Sequence, residues 1–353
     1  MKKLDGYIVR SVLVSVCLVL VVVISLDLVF AFLGEMDDAK NNYGPWQALQ
    51  FILYTLPRRI YDYLPLAAFM GSLIGLGMLA NTSELVIMRA AGMSTWRILF
   101  SALKPALLVV VTGLVLGEYA APYMEQIAQN KKSIALSGEE RVATQRGVWL
   151  REGDDYIHIN AVESSGGLQG VTLYRFSPES QLEQIIFAPK AETRGGYWWL
   201  KDAQVTEIAP EKITSTNEAE RAWDTKLTVD LVGLLSVKPD NLSISGLFGY
   251  ASYLIEQGVN ANQYLMSLWK KLLRPATTMV LVLVAISFIF GPLRSVTMGF
   301  RVFIGIIVGL LFKYAQDLLG PSSLVFGFNP IWATLVPIAV CGITGTILMY
   351  RAR

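Results

Sequence analysis

Histidine and cysteine are scarce in this sequence, which argues against several kinds of site. The 353 residues include one histidine and two cysteines. Cys17 and Cys341 lie in apolar runs near opposite ends of the chain without CxxC spacing, so neither a disulfide nor a metal site is supported. His158 falls in a predicted strand without ligand partners, which favours a structural role over metal binding or catalysis. We therefore expect no metal and no cofactor.

Charge is also sparse. Charged residues make up 16% of the chain, whereas soluble domains average about 25%. Hydrophobic residues make up 53%, and the net charge is only +2, which gives no overall field for nucleic acid. The charges collect between about Glu118 and Lys271, and both flanks are long apolar runs. This contrast predicts membrane, soluble and membrane segments in that order.

Motifs for nucleotide binding and hydrolysis are missing. No GxxxxGK[ST] phosphate loop occurs, so any energy from ATP must come from a partner protein. GxSxG and HExxH are absent, and no cluster of acid, base or metal-ligating residues marks the membrane boundary, as a lipid-modifying enzyme would need. The chain is therefore not predicted to be an enzyme, and any ATP hydrolysis is expected in a separate partner subunit.

Six apolar runs are long enough to cross a membrane as helices, which takes about 20 residues. The second run contains Gly71, Gly75 and Gly77, which permit close helix approach. The predicted spans are Ile8–Leu33, Tyr63–Ser83, Ile98–Tyr119, Pro275–Leu293, Val302–Leu319 and Ile331–Tyr350.

Basic residues in the short loops orient these spans. Four groups fall on one side, which the positive-inside rule assigns to the cytoplasm, so both termini are expected there and the insert outside. Lys270, Lys271 and Arg274 break this rule, but they follow a long translocated domain, where loop charge carries little weight. The four groups are Lys2, Lys3 and Arg10; Arg89 and Arg97; Arg294 and Arg301; and Arg351 and Arg353.

The insert, between about Arg141 and Val237, has the period-two pattern of strands with one buried face. An antiparallel sandwich or jelly roll is expected, followed by a helical connector over Ser243–Leu273. Four tryptophans fit either a lipid-binding groove or ordinary sheet core: Trp149, Trp198, Trp199 and Trp223. The predicted strands are Gly147–Arg151, Tyr156–Val162, Gly170–Phe176, Gln184–Ala188, Tyr197–Lys201 and Ala203–Ile208.

The turn between the second and third spans contains SELVIMRAAGMS, from Ser83 to Ser94. Ser83 is expected to cap a short helix that begins at Glu84 and ends near Gly92. Such a helix could dock into a partner's groove or be a simple interfacial turn.

This segment, the preceding GSLIGLGMLAN and the later FIFGPLRSVTMGFR together resemble the LptF/LptG family of lipopolysaccharide-export permeases. The resemblance runs essentially end to end. It implies an α-helical membrane protein with six transmembrane helices and an inserted periplasmic all-β jelly-roll domain. The implied partners are an LptF-like paralogous permease, an LptB-like ATPase dimer, an LptC-like single-span protein and lipopolysaccharide itself. The turn would be the coupling helix that enters a cleft of the ATPase, with Glu84 as the coupling residue and Arg89 as a weaker partner.

A substrate with several acyl chains and anionic phosphates requires an apolar cavity with cations near its outer rim. Arg58 and Lys132 match basic positions of the family. The sequence departs from the family's basic cluster at the outer end of the first helix, where Glu35, Asp37 and Asp38 precede Lys40. Ordinary solvated charge is favoured for Lys40. The full candidate set is Arg58, Arg59, Lys131, Lys132 and Lys40.

Three charges inside predicted spans need explanation, because charge within a bilayer is costly. Lys313 and Asp317 are four residues apart on one helix and could pair with each other, and Asp27 could lie near enough the surface to hydrate. All three are interpreted as structural.

The predicted organisation is residues 1–135 for three spans and a coupling helix near 83–92, residues 136–240 for the β domain, and residues 241–353 for the connector and three further spans. The leading hypothesis is a permease that extracts lipopolysaccharide from the inner membrane and transfers it toward the outer membrane. The alternative is an ABC-linked scaffold that transmits force to periplasmic partners without moving lipid.

Overall fold

The computed structural model describes residues 2–37, 42–137, 141–153, 155–163, 167–177, 181–194, 197–209, 212–225, 227, 238–292 and 296–351. Asp38, Lys40, Arg294 and Arg353, which the sequence analysis singled out, lie outside these ranges. The chain divides into two compact units, one of Met1–Leu33, Thr55–Pro122 and Leu265–Arg353 and the other of Gly34–Tyr54 and Tyr123–Tyr264.

Helices account for most of the described chain. They are α1 (Lys2–Asp37), α2 (Pro45–Asn81), α3 (Glu84–Ala90), α4 (Thr95–Val115), a π-helical turn (Leu116–Ala120), α5 (Ala121–Ser137), a 3₁₀ turn (Pro239–Asn241), α6 (Ile244–Glu256), α7 (Asn262–Leu272), α8 (Arg274–Phe290), α9 (Met298–Phe326) and α10 (Pro330–Arg351).

Five of the described helical segments are long and apolar enough to cross a membrane, and a sixth span results if α7 and α8, which are bent by 48°, count as one. The predicted helical membrane protein with an inserted β domain is confirmed. Several helices extend well past the predicted spans, and α2 begins 18 residues before Tyr63, at Pro45. Hydropathy detects only the lipid-length part of such a helix.

The first two spans pack with almost no separation. A Cβ added at Gly71 would lie 2.4 Å from the Cα of Val16, and one at Gly75 would lie 3.0 Å from the Cα of Val12. The close approach predicted from these glycines is therefore present, and their lack of a side chain is what permits it. The core of the first unit continues from this contact through Ala67, Leu73 and further buried residues.

The second unit contains one six-stranded antiparallel sheet whose strands pair in chain order, β1 to β6. The strands are β1 (Arg141–Glu152), β2 (Asp155–Glu163), β3 (Leu168–Phe176), β4 (Leu182–Arg194), β5 (Tyr197–Ala209) and β6 (Lys212–Trp223). The strands predicted at Tyr197–Lys201 and Ala203–Ile208 are one strand, because Asp202 at φ 48° interrupts the alternation without ending the pairing. The sequence prediction missed β6, whose KITSTNEAERAW is mostly polar and exposed.

The four tryptophans have different surroundings. Trp198 and Trp223 are buried, their ring centroids are 6.3 Å apart, and Trp198 Nε1 donates to the Leu227 carbonyl at 2.7 Å. These two are sheet core. Trp149 is 59% exposed, and its ring contacts His158 at a centroid distance of 4.6 Å. The predicted connector is helical but is divided into α6 and α7.

Candidate functional site

The short helix α3 begins at Glu84, as predicted, and is fixed at both ends by backbone geometry. Its C-terminus closes with Gly92 at φ 88°, where the Gly92 amide donates to the Arg89 carbonyl and the Met93 amide donates to the Met88 carbonyl, both at 3.0 Å. This pair of bonds is a Schellman motif, and glycine suits it because its φ is positive. The predicted end near Gly92 is therefore explained.

The predicted capping role of Ser83 is wrong. Ser83 has a left-handed backbone (φ 60°, ψ 9°), and its side chain makes no capping hydrogen bond to α3. Thr82 Oγ1 instead donates to Glu84 Oε1 at 2.8 Å. The Tyr7 hydroxyl also interacts with the Glu84 carboxylate. Glu84 is thus held by Thr82 before it and by a side chain of α1.

The helix has one anchored face and one exposed face. Leu85 and Met88 are buried and belong to the core of the first unit. Val86 and Ile87 are 53% and 65% exposed, and Arg89 is also exposed. A displayed pair of large apolar residues with charges beside them suits docking into a groove. Sequence reasoning named Glu84 and Arg89 but missed Val86 and Ile87, although their position opposite Leu85 and Met88 is readable from helical spacing.

Two buried or half-buried arginines fix the segments around α3. Arg301, only 1% exposed, donates from one guanidinium nitrogen to the Gly77 carbonyl at 2.8 Å and to Asn81 Oδ1 at 2.7 Å. It was counted as a loop cation in the sequence analysis, and that interpretation is wrong, since Arg301 lies inside α9. Arg97 makes two hydrogen bonds to Asp5, at 3.1 and 2.8 Å, and so joins α4 to the start of α1.

The candidate lipid-contacting cations in the first unit are already engaged. Arg59 pairs with Asp27, which also accepts a hydrogen bond from the Tyr63 hydroxyl at 2.7 Å. This contact explains the intramembrane Asp27 that the sequence left open. Arg58 lies 3.7 Å from the carboxylate of Asp62 and is about a third exposed.

The candidate cations in the second unit differ in exposure. Lys132 donates to Glu35 at 2.7 Å and has 17% of its side chain exposed. Tyr43 donates to the same Glu35 oxygen at 2.6 Å. Lys131 is exposed and donates to the Tyr54 hydroxyl at 2.8 Å. The acidic Glu35, which departs from the family's basic cluster, is thus the partner of Lys132.

Lys313 and Asp317 do not form the pair suggested by their spacing. Both side chains are exposed on α9, and neither has an ion-pair partner within 4.0 Å among the residues that the structure describes. Exposed charge at the level of a bilayer requires protein or water beside it.

Five apolar spans, or six with the bent pair α7 and α8, together with an inserted antiparallel sheet, define a multi-pass membrane protein with a β domain. The model of the family "Lipopolysaccharide export system permease LptF/LptG" matches residues 6–351. The chain belongs to this family. It is 35% identical over 340 residues to the lipopolysaccharide export system permease protein LptG of Escherichia coli (strain K12), covering 95% of this chain and 94% of the relative. It is 36% identical over 337 residues to the LptG of Haemophilus influenzae, with the same shares covered.

Proposed function

We propose that this chain is an LptG-type permease subunit, which extracts lipopolysaccharide from the inner membrane and transfers it toward the outer membrane. The observation that carries this proposal is the similarity to LptG proteins over 95% of the chain. The helical spans, the all-β insert and α3 fit the same role. The insert, at about residues 136–240, would receive lipid in the periplasm, with both termini in the cytoplasm.

The energy source is proposed to be a separate LptB-like ATPase dimer, because this chain has no phosphate loop. Helix α3 is the proposed contact. Val86 and Ile87 would enter an apolar groove of the ATPase, while Glu84 and Arg89 would pair with its polar rim. The bonds of Arg301 to Gly77 and Asn81 support transmission of force, since they connect the segment before α3 directly to a membrane span.

An LptF-like permease is the proposed partner within the membrane, together with an LptC-like single-span protein. Most of the apolar surface of α1, α9 and α10 is exposed in the single chain. Lys313 and Asp317 lie on α9, and exposing their charges to lipid would cost free energy. This cost supports a neighbouring protein or water at that surface.

Among the proposed substrate contacts, exposure separates two groups. Arg58 and Lys131 have the more accessible charges and are proposed to meet lipopolysaccharide phosphates first. Arg59 and Lys132 are neutralised by Asp27 and Glu35, so a phosphate must compete with a carboxylate at each. Lys40 remains a candidate from its sequence position alone.

The variant Glu84→Lys tests the coupling role. In the assembled complex it should reduce lipopolysaccharide release at least tenfold while the permease is still inserted and present at normal level. Glu256→Lys is the matched control, since Glu256 is an exposed acid at the end of α6, and it should export normally. Wild-type export by the Glu84 variant would refute the role of this carboxylate. Photo-crosslinkers on the exposed faces of α1 and α9 that capture only phospholipid would instead favour the scaffold alternative.

A further inference from the structure

The basic run that breaks the positive-inside rule borders a crevice in the first unit. Lys271 and Arg274 line it together with Tyr61, and the space between its walls, open solvent included, is about 270 Å³. The walls come from α2, the end of α4, and the junction of α7 with α8. None of the residues that line this crevice belongs to α3 or to the cations proposed to contact lipopolysaccharide.

The crevice is polar at one end and apolar at the other. Tyr61, Lys271 and Arg274 are at the polar end, and the chain then runs from Tyr61 to Leu64 and Pro65, which line the apolar part. Tyr61 lies about 30 Å along the helix axis from Asn81, the last residue of α2. That length matches the hydrocarbon thickness of a bilayer, about 30 Å. The cations are therefore placed at one membrane boundary, and the apolar walls reach into the hydrocarbon.

Arg274 has unused hydrogen-bonding capacity at this boundary. Its guanidinium lies 3.9 Å from the centroid of the Tyr61 ring and donates to the Asp62 carbonyl at 2.9 Å and to the Asp62 carboxylate at 3.2 Å. Its Nε atom is buried and has no hydrogen-bond partner among the residues that the structure describes. A buried donor without a partner costs free energy, which an acceptor from a bound molecule would remove.

The charge around the crevice is positive overall. Arg58 and Arg274 both pair with Asp62. Glu118, in the π-helical turn, interacts electrostatically with Tyr61. Lys271 adds a third cation, 5.7 Å from the centroid of the Tyr61 ring. Three cations thus face two carboxylates, which leaves a net attraction for one anionic group.

Glycines give the crevice its shape. A Cβ at Gly117 would lie 2.6 Å from the Tyr61 ring, and one at Gly113 would lie 3.3 Å from Leu64. Because neither glycine has a side chain, the Tyr61 ring and Leu64 can pack directly against α4 and the π-helical turn. Gly117 lies in the π-helical turn Leu116–Ala120, and turns of this type are frequent at functional sites.

We propose that this crevice binds one anionic glycerophospholipid, with its phosphodiester against Arg274 and Lys271 and an acyl chain between Leu64, Pro65, Val109 and Val110. The apolar part of its lining comes from a few residues of α2 and α4, so it suits one acyl chain and not a lipid with several. The bound lipid anchors the permease at the membrane boundary beside the bend between α7 and α8. The residues that line the site are separate from those proposed for coupling and export, and Arg58 adds to its charge only through the shared Asp62.

The test uses the purified permease in its complex, in nanodiscs of equal phosphatidylglycerol and phosphatidylethanolamine. In two separate preparations, either the phosphatidylglycerol or the phosphatidylethanolamine carries a photoactivatable acyl chain. Labelled peptides are identified by mass spectrometry. Labelling of residues 109–114 should favour phosphatidylglycerol about fivefold, as expected for one surplus cation at a membrane surface. The double variant Lys271→Gln, Arg274→Gln should abolish this preference. The control Lys104→Gln, at an exposed cation of α4 outside the crevice, should retain it.

Equal labelling by the two lipids in the wild-type protein would show only annular lipid and overturn the proposal, whatever the variants do. Labelling of the same peptide by photoactivatable lipopolysaccharide in preference to both phospholipids would also overturn it, since the crevice would then belong to the substrate. Retained preference in a correctly assembled double variant would exclude these two cations as the headgroup site. None of these outcomes depends on export, so a failure here leaves the proposed function untouched.

Discussion

The guanidinium of Arg301 lies 2.7 Å from Asn81 Oδ1, and this contact connects α9 to the last residue of α2. Two residues separate Asn81 from Glu84, where α3 begins. We therefore expect a movement of α3 to reach α9 through this partly buried, charge-assisted bond in addition to the covalent chain.

The variant Asn81→Ala should weaken this connection. Hydrogen bonds to charged groups contribute about 1.5–3 kcal/mol, so we expect destabilisation of that order, and lower export per ATP hydrolysed. Thermal unfolding of the detergent-solubilised complex and a coupled transport assay measure the two effects. Asn81→Asp keeps an acceptor and adds an opposing charge, and it should retain stability. Unchanged stability and coupling in Asn81→Ala would show that the contact is incidental.

Much of the fold follows from the sequence because the bilayer imposes it. A lipid-facing helix needs a long apolar run, so the spans could be read from hydropathy. The β insert was readable from its alternation, but β6 was not, since both faces of KITSTNEAERAW are largely exposed. One strand was divided in two because Asp202 disturbs the period while backbone pairing continues on both sides of it.

The candidate site was only partly predictable. The start of α3 at Glu84 and its end near Gly92 were predictable because α3 is local, with both signals encoded within ten residues. The coupling role of Glu84 stays a prediction. Arg301 was interpreted as a loop cation because its partners, Gly77 and Asn81, are more than 200 residues away in sequence. The pairing of Arg59 with Asp27 was missed for the same reason, since nothing in the local pattern indicates which side chains of α1 and α2 face each other.

The ion pair between Asp27 and Arg59 should contribute mainly to the stability of the fold. Asp27→Ala leaves Arg59 without its counter-charge in a half-buried position, and we expect a loss of about 3 kcal/mol. The double variant Asp27→Leu, Arg59→Met removes both charges and should recover much of that stability in a double-mutant cycle. An export assay on the stable double variant tests lipid contact separately. Export should be defective only if Arg59 also binds the substrate. Equal destabilisation by the single and double variants would contradict the coupling between the two residues.

The contact between α1 and α2 at Gly71 should not tolerate a larger residue. A Cβ there would lie 2.4 Å from the backbone of Val16, and Gly71→Ala should therefore cost about 1–3 kcal/mol through forced separation of the two helices. Gly34→Ala is the matched control, since nothing lies within 4 Å of its Cβ position and alanine favours a helix. Unfolding of both variants in the same detergent compares them directly, and similar melting temperatures would argue against close packing at Gly71.

The ion pair between Lys201 of β5 and Glu220 of β6 should make the sheet sensitive to acid. The hydrogen bond from Lys201, aided by the charges of Lys201 and Arg194, lowers the pKa of Glu220 below its ordinary value. A carboxylate with a lowered folded-state pKa contributes stability that is fully present above its unfolded pKa, about 4.3, and is lost as pH falls through the folded value. Glu220→Gln should therefore reduce the dependence of stability on pH below about 4.5 and change little at pH 7, because the pair is exposed to solvent. Hydrogen exchange of β5 and β6 amides in the full-length protein measures this locally. If the wild-type protein and the Glu220→Gln variant lose protection equally at low pH, other carboxylates cause the acid sensitivity.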